Sequence, residues 1–319
     1  MSALAVEARA LSRTFGEVRA VDSIDLAIPA GEIYGFLGPN GAGKSTVVRM
    51  LCTLLLPTSG EAFVAGFDVT HRAEQVRLSI GAALQATAID PKQTGRELLR
   101  LQARLYGLRR RAVEERVRQL AELVDIGEAL DRRVGTYSGG MRRRLDLALA
   151  LVHTPTILFL DEPTTGLDPA SRVRIWDEVL RLNRVEGMTI FLTTQYLEEA
   201  DELAGRVGII DRGRLAAQGS PAELKRAVGA DVVEAEIGGD VAAAAQAVRA
   251  LDGVEGVTVH DNELTIHTRN GAAGLSPVAL ALDASGAQVR SLTLRTPTLD
   301  DVFLQLTGAH LQGGEEEAA

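Results

Sequence analysis

The 319-residue chain has a single cysteine, Cys52, so no intrachain disulfide can form. That thiol falls among Met50, Leu51 and Leu54 and reads as a core residue, the usual place for a free cysteine. Lysine is almost missing: Lys44, Lys92 and Lys225 stand against abundant Arg and Ala. No apolar run reaches the roughly 18 residues that a spanning helix needs. The richest window, Leu145 to Leu160, is interrupted by His153 and Pro155. The N-terminus lacks a charged-then-apolar leader. These absences predict a soluble, cytosolic chain whose membrane role would run through a partner. A basic field is missing as well. The net charge is -9, which argues against a nucleic-acid partner. Against all this, 46% of the residues are hydrophobic, ample for one large domain or two ordinary ones.

The most informative stretch is 33–52, IYGFLGPNGAGKSTVVRMLC. An apolar run, Ile33 to Leu37, enters a turn formed by Gly38, Pro39, Asn40, Gly41, Ala42 and Gly43. The turn delivers Lys44, Ser45 and Thr46 into an amphipathic stretch. Strand, GxxxxGK[ST] loop and helix together form a phosphate-binding loop in its required context. The glycines allow unusual backbone conformations and close approach to a ligand. Backbone amides then converge on phosphate at the positive end of the following helix. Lys44 reaches the outer phosphates as a point charge, and the Ser45 hydroxyl suits Mg2+.

Residues 157–162, ILFLDE, are four apolar residues followed by two carboxylates. A short, fully apolar run suits a buried parallel strand, and ligands of open α/β sheets bind at strand carboxyl ends. Asp161 therefore fits a Mg2+ contact through water, and Glu162 a general base for an attacking water. Further along, TYSGGMRRRLDLALALV sets Ser138, Gly139 and Gly140 before a helical pattern. Ser138 suits an N-cap. Arg142 to Arg144 follow in its opening turns, against the helix dipole, a mismatch that a docked anion would offset. Residues 4–28 alternate as antiparallel strands, with Phe15 between the two runs. Phe15 reads either as strand-end core packing or as an aromatic face for a base. SIGAAL, from Ser79 to Leu84, is a strand ending at Gln85, and residues 94–124 are an amphipathic helical region. Trp176 reads as core. MTIFLTT is a buried strand ending at Gln195, and Asp211-Arg212-Gly213 is a hairpin turn.

Beyond Gly229 the composition shifts to Ala, Val and Gly. The order β-α-β-β-α-β, with a hairpin at Asp261-Asn262 and a closing helix from Thr298, suggests a ferredoxin-like split. It shows no metal spacing or nucleophile, and His260 and His267 read as strand-face residues. Residues 311–319, small and acidic, read as a disordered tail.

Taken in order, these pieces resemble the ATP-binding subunit of an ABC transporter, over about residues 4–225. GPNGAGKST is similar to the Walker A motif, ILFLDE to Walker B, YSGGM to the signature and GLD, with Asp168, to the D-loop. Within that family TYSGGMRRRLDLALALV, DEPTTGLDPASR, TTQYLEEADELA and PTLDDVFLQLTG resemble the daunorubicin-resistance type of exporter ATPase. The resemblance implies an α/β fold. A P-loop NTPase domain, residues 1–228, would combine a parallel core sheet, an antiparallel β-subdomain and a helical subdomain at about 86–155. A small α+β accessory domain would occupy 229–310. It also implies ATP and Mg2+ as ligands, Phe15 at the adenine-stacking position and Gln85 as the Q-loop residue sensing Mg2+. Ser138, Gly139 and Gly140 would act in trans across an ATP-dependent homodimer. An integral membrane permease would hold the chain at the cytoplasmic face of the membrane. Two positions depart from the family pattern. Tyr137 and Met141 replace Leu and Gln in the signature. Gln195 stands where most members have the switch histidine, so it can hydrogen-bond a γ-phosphate or water but cannot titrate, leaving Glu162 as the main candidate base. The function implied is efflux of a hydrophobic drug or lipid-like cargo. The alternatives are a soluble ABC ATPase acting on ribosomes or nucleic acid, and an ATPase for polysaccharide or lipid export.

Overall fold

In the computed structural model, residues 4–84, 89–228, 231–268, 271–295 and 297–307 are described. Gln85 and the 311–319 tail lie outside them. The chain separates into two compact units, one ending at Gln218 and the other beginning at Gly219.

In the first unit, three predominantly apolar runs become the strands buried on both faces. They are β3 (Ile33–Leu37), β7 (Ile157–Asp161) and β8 (Thr189–Thr194), in which every residue is buried. They belong to a six-stranded sheet of order β10-β9-β3-β8-β7-β6, where β6 is Ile80–Ala83, β9 Arg206–Asp211 and β10 Arg214–Gly219. The pairs β9–β3, β3–β8, β8–β7 and β7–β6 are parallel. Along β7 the side chains divide strictly. Leu158 and Leu160 enter one apolar cluster, Ile157 and Phe159 the other. A strand filling two cores needs apolar residues at every position, which is why no alternation marks it in the sequence.

The first cluster lies against the helices α3 (Gly95–Leu105), α4 (Arg110–Leu123), α5 (Gly139–Ala150) and α6 (Pro169–Glu186). The second joins the parallel sheet to α1 (Lys44–Leu51) and to an antiparallel sheet of order β2-β1-β4-β5. Its strands are β1 (Leu4–Phe15), β2 (Val18–Pro29), β4 (Ser59–Val64) and β5 (Phe67–Asp68). Phe191 centres an aromatic group in this cluster, its ring 5.5 to 5.6 Å from those of Tyr34, Phe36 and Phe159. Such pairs add roughly 0.5–1.5 kcal/mol each beyond their buried area, and here they tie β3, β8 and β7 together directly beneath the strand ends.

Local signals set the helix boundaries. Thr94 and Glu97 form a reciprocal capping box at the start of α3. Asp168 caps α6, Pro169 opens it, and Gly187 closes it in the left-handed region. Two features differ from the sequence reading. The helical region 94–124 is two helices, broken at Tyr106 to Arg109 by Gly107, whose φ is +80°. A short helix, α2 (Ala73–Ser79), precedes β6; it buries only Val76 and so carries no apolar stripe to read. A final helix of this unit, α7 (Leu197–Leu203), follows β8.

The second unit opens with α8 (Pro221–Val228), which packs on the closing helix α11 (Leu299–Thr307). Between them run β11 (Asp231–Gly238), α9 (Val241–Arg249), β12 (Val254–His260), β13 (Glu263–Thr268), α10 (Gly271–Ala284) and β14 (Gln288–Arg295). The sheet order β12-β13-β11-β14, antiparallel throughout, is that of a ferredoxin-like split. Val233, Ala235 and Ile237 of β11 meet Ala244, Val248, Val278 and Leu282 of the two helices in its core. Asp261-Asn262 forms the hairpin turn between β12 and β13, with Asp261 at φ 51°.

Candidate functional site

The apolar strand β3 ends at Leu37 and releases the chain into the loop 38–43 before α1. Two of its glycines are required for different reasons. Gly43 caps α1 at φ +109°, and a Cβ there would stand 2.5 Å from the Ala20 carbonyl oxygen. Gly38 needs no unusual φ; instead a Cβ would lie 2.4 Å from the Ile210 carbonyl oxygen. Loop and sheet are pinned together by Gly38 N–H donating to Thr194 O and by Gly213 N–H, from the 211–213 turn, donating to Ala42 O. Within the loop Ala42 N–H donates to Pro39 O. Among the described residues, the amides of Gly41, Gly43, Lys44, Ser45 and Thr46 donate to no protein acceptor. No acid occupies the first turn of α1. Five convergent donors at the positive end of a helix form an anion cradle.

Lys44 is 4% exposed, and its Nζ donates to Gly38 O at 2.6 Å and to Pro39 O at 3.2 Å. The same ammonium lies 3.4 Å from Glu162 Oε1. Burial pushes its pKa below the usual lysine value, against the pull of Glu162 and Asp161. The carboxylates come from the end of β7, two strands from β3, with β8 between. Asp161 Oδ1 accepts from Thr193 Oγ1 at 2.6 Å and from Ser45 Oγ at 3.2 Å. Glu162 adopts φ +49°, a left-handed conformation that costs a non-glycine residue on the order of 1–3 kcal/mol. Its N–H is held by Thr193 O and Oγ1, both at 3.1 Å, and its Oε2 accepts from Thr165 Oγ1 at 3.3 Å. Strain of this kind concentrates where a side chain must be aimed.

Among the described residues no group of three or more His, Cys, Asp or Glu is arranged to hold a metal ion. The hydroxyl of Ser45 and the carboxylate of Asp161 are nevertheless the hard oxygen donors that Mg2+ takes, alongside phosphate oxygens and water. The residues fit that cation.

The other sequence-derived candidates divide. Gln195 follows Thr194 at the end of β8, half-buried, one strand over from Glu162. Asp168 caps α6, accepting from Ser171 N–H at 2.9 Å; its hydrogen bonds with Ser171 hold the carboxyl below the ordinary aspartate value. Phe15 is 45% exposed at the end of β1, outside the core, with the Arg13 guanidinium 4.5 Å over its ring. Ser138 caps α5, its Oγ accepting from Met141 N–H at 3.3 Å, and Gly140 leaves only 3.0 Å for a Cβ against Ser171 Oγ. Among the described residues no hydrogen bond or ion pair joins Ser138, Gly139 or Gly140 to residues 38–46. Within one chain the signature turn and the phosphate loop are separate features.

The arginines after that turn differ from their sequence reading. Arg143 and Arg144 are each largely but not fully withdrawn from solvent, and both spend donors on protein oxygens. These two are occupied within the fold, while Arg142 stays exposed. Three residues to which the sequence reading gave no role beside the acids also serve the site. Thr193 bridges both carboxylate positions. Glu199 of α7, fully buried, accepts from Thr164 Oγ1 at 2.8 Å and Trp176 Nε1 at 3.0 Å, and burial raises its pKa. The third, Arg143, reads in the sequence only as one of a basic run and not as part of the site. The doubled acid at 198–199 was the one available signal for Glu199, and it looks like a helix N-terminal charge.

A phosphate cradle on β3, a cation between cradle and base, and paired acids on a parallel strand two places away define a nucleoside-triphosphate-binding P-loop protein. The ABC transporter family model matches residues 21–165, and the DrrA1-3-like ATP-binding protein C-terminal domain matches 219–307. The chain is 44% identical over 322 residues to daunorubicin resistance ATP-binding protein DrrA2 of Streptomyces coeruleorubidus, covering 100% of each chain. It is 45% identical over 308 residues to daunorubicin/doxorubicin resistance ATP-binding protein DrrA of Streptomyces peucetius, covering 95% of this chain and 92% of that one. Among solved structures, cbiO1 of Clostridium perfringens, part of the ABC transporter complex cbiONQ, superimposes with a TM-score of 0.63 at 26% identity, covering 70% of this chain and 93% of that one. The chain belongs to the ABC transporter ATP-binding subunits of the daunorubicin-resistance type, and it is an ATPase.

Proposed function

We propose that this chain is the motor of an exporter, hydrolysing ATP to drive a hydrophobic drug or lipid-like compound through a separate integral membrane permease. The observation that carries the chemistry is the Lys44–Glu162 pair at 3.4 Å, set between an amide cradle and a strained strand end. The resistance named for its relatives in Streptomyces supports the direction and class of cargo. No helix among the described residues is long and apolar enough to cross a membrane, so the reading requires a partner there, at the cytoplasmic face.

The loop 38–46 binds the β- and γ-phosphates, its amides and Lys44 opposing their charge. Ser45 and Asp161 would hold Mg2+, which neutralises charge on the phosphate oxygens when bound. Phosphate arriving at Lys44 competes with Glu162 for the ammonium and frees the carboxylate for a water. That water attacks the γ-phosphorus, the bond to the ADP oxygen breaks, and Glu162 accepts the proton. Gln195, with an amide in place of an imidazole, orients the water or γ-phosphate by hydrogen bonds without titrating. Phe15 offers a ring face to the adenine, and Gln85 senses the metal. Two copies form the working unit, a reading supported by the lack of any hydrogen bond or ion pair between Ser138, Gly139 or Gly140 and residues 38–46 among the described residues. Those three residues meet the γ-phosphate held by the other copy, with Asp168 beside the shared interface.

Glu162→Gln tests this. The variant should bind ATP with unchanged affinity, hydrolyse it at least about a hundredfold more slowly, and accumulate as an ATP-bound dimer in size-exclusion chromatography. Hydrolysis at the unmodified rate would remove Glu162 as the base.

A further inference from the structure

Glu162 is aimed by a left-handed backbone turn, and such a turn must be held from both sides. On one side Thr193 receives its N–H. The carbonyls on either side of Glu162 converge on a single guanidinium. Arg143 Nε donates to Pro163 O, and Arg143 Nη2 donates to Asp161 O, each at 2.9 Å. The remaining nitrogen, Nη1, reaches Leu84 O at the end of β6 at 3.4 Å and Asp146 Oδ2 at 3.1 Å. Asp146 lies one turn further along α5 and is itself buried, which raises its carboxyl pKa to about 7 against the pull of Arg143. A planar fork with five donors grips two carbonyls separated by one residue through separate nitrogens, whereas an ammonium brings a single nitrogen.

We propose that Arg143 is a positioning residue for hydrolysis: it brackets Glu162 through the Asp161 and Pro163 carbonyls and fixes the carboxylate against the attacking water. The claim rests on Glu162 being the base. The Arg143 donors are taken up by protein oxygens, so its removal should leave binding intact and relax the aim of the base. A displacement of about 1 Å at a reacting group is enough to cost on the order of a hundredfold in rate.

Four full-length proteins decide it: the unmodified chain, Arg143→Gln, Glu162→Gln and the double variant. Each is measured for fluorescent-ATP affinity, melting temperature and single-turnover hydrolysis. Arg143→Gln should lower the hydrolysis rate about tenfold to a hundredfold while ATP affinity stays within about twofold. In the Glu162→Gln background the same substitution should have no further effect, since the group it aims is gone. If the two losses multiply, Arg143 does not act through Glu162 and the proposal falls while the base assignment stands. If Glu162→Gln alone hydrolyses normally, the base assignment falls and takes the proposal with it. Should Arg143→Gln fail to fold, Arg143→Lys carries the test. Lysine keeps the charge but replaces the fork with one nitrogen on a different reach, so a rate loss with unchanged ATP affinity supports the bracket, and an unmodified rate overturns it.

Discussion

Lys44 and Arg295 are both cations drawn out of solvent beside acids, and their surroundings could hardly differ more. Lys44 is held by two backbone carbonyls and, at 3.4 Å, by Glu162. Arg295 is forked onto Asp301 and also donates to Glu234; Asp301 in turn accepts from Thr298 N–H and Oγ1 at 2.8 and 2.9 Å. In this cluster of the second unit each charge is answered within the fold, and the cluster fastens β14 and β11 to the start of α11. In the first unit the answer is provisional: carbonyl oxygens and a long ion pair are partners that a triphosphate outcompetes. Charge that fastens is fully satisfied, whereas charge that works is left with a better partner still to come.

The comparison can be broken from either end. The largest effect should come from Lys44→Met, which removes the cradle's only lysine. Its kcat/KM for ATP should fall about a hundredfold or more, read as phosphate release, with a parallel loss in fluorescent-nucleotide affinity. Retention of ATP affinity would make Lys44 a structural cation like Arg295. Next is Arg295→Met, which strands Asp301 and Glu234. It should cost about 2 kcal/mol in denaturant unfolding of the second unit, below the figure for a fully buried pair because Arg295 and Glu234 keep part of their surface in solvent. A loss below about 0.5 kcal/mol would reduce the cluster to a surface ion pair. The same cluster predicts a pH dependence. Burial alone would raise the Asp301 carboxyl, but the bonds from Arg295 and Thr298 outweigh it and hold the pKa at about 2. A depressed carboxylate contributes stability that is present above its unfolded pKa and is lost as pH falls through the folded one. Thermal melts should therefore show about 2 kcal/mol disappearing between roughly pH 4 and pH 2, and Asp301→Asn should flatten that slope. The smallest effect sets the neutral yardstick. Tyr137, buried, donates its hydroxyl to Ala129 O at 2.6 Å, and Tyr137→Phe should cost about 1 kcal/mol.

How much of this was legible in the sequence depended on whether the chemistry was contiguous. The phosphate loop and the paired acids could be read because strand, turn and catalytic residues follow one another along the chain. The ferredoxin-like split could be read because its helices and strands alternate cleanly around the Asp261-Asn262 turn. The helix at 73–79 buries one side chain and leaves no periodic trace. The same applies, more consequentially, to Arg143, Thr193 and Glu199. In the sequence they are a cation in a basic run, a threonine in a strand and an acid in a first turn. Their importance comes from partners 18 to 35 residues away, supplied only by packing. Trp176, read as core, is partly so, but its indole N–H is committed to Glu199.

Cys52, the only sulfhydryl, has a practical consequence. It is 3% exposed beneath the end of α1, and burial drives its pKa upward, so the thiolate that a maleimide attacks scarcely forms. The native chain is in effect a silent background for thiol labelling. A cysteine introduced at exposed Val173 or Val185 on α6 would then be the one reactive handle per copy. Spin or fluorescent reporters could be attached there to follow subunit approach and separation through a turnover, with no need to delete a native residue first.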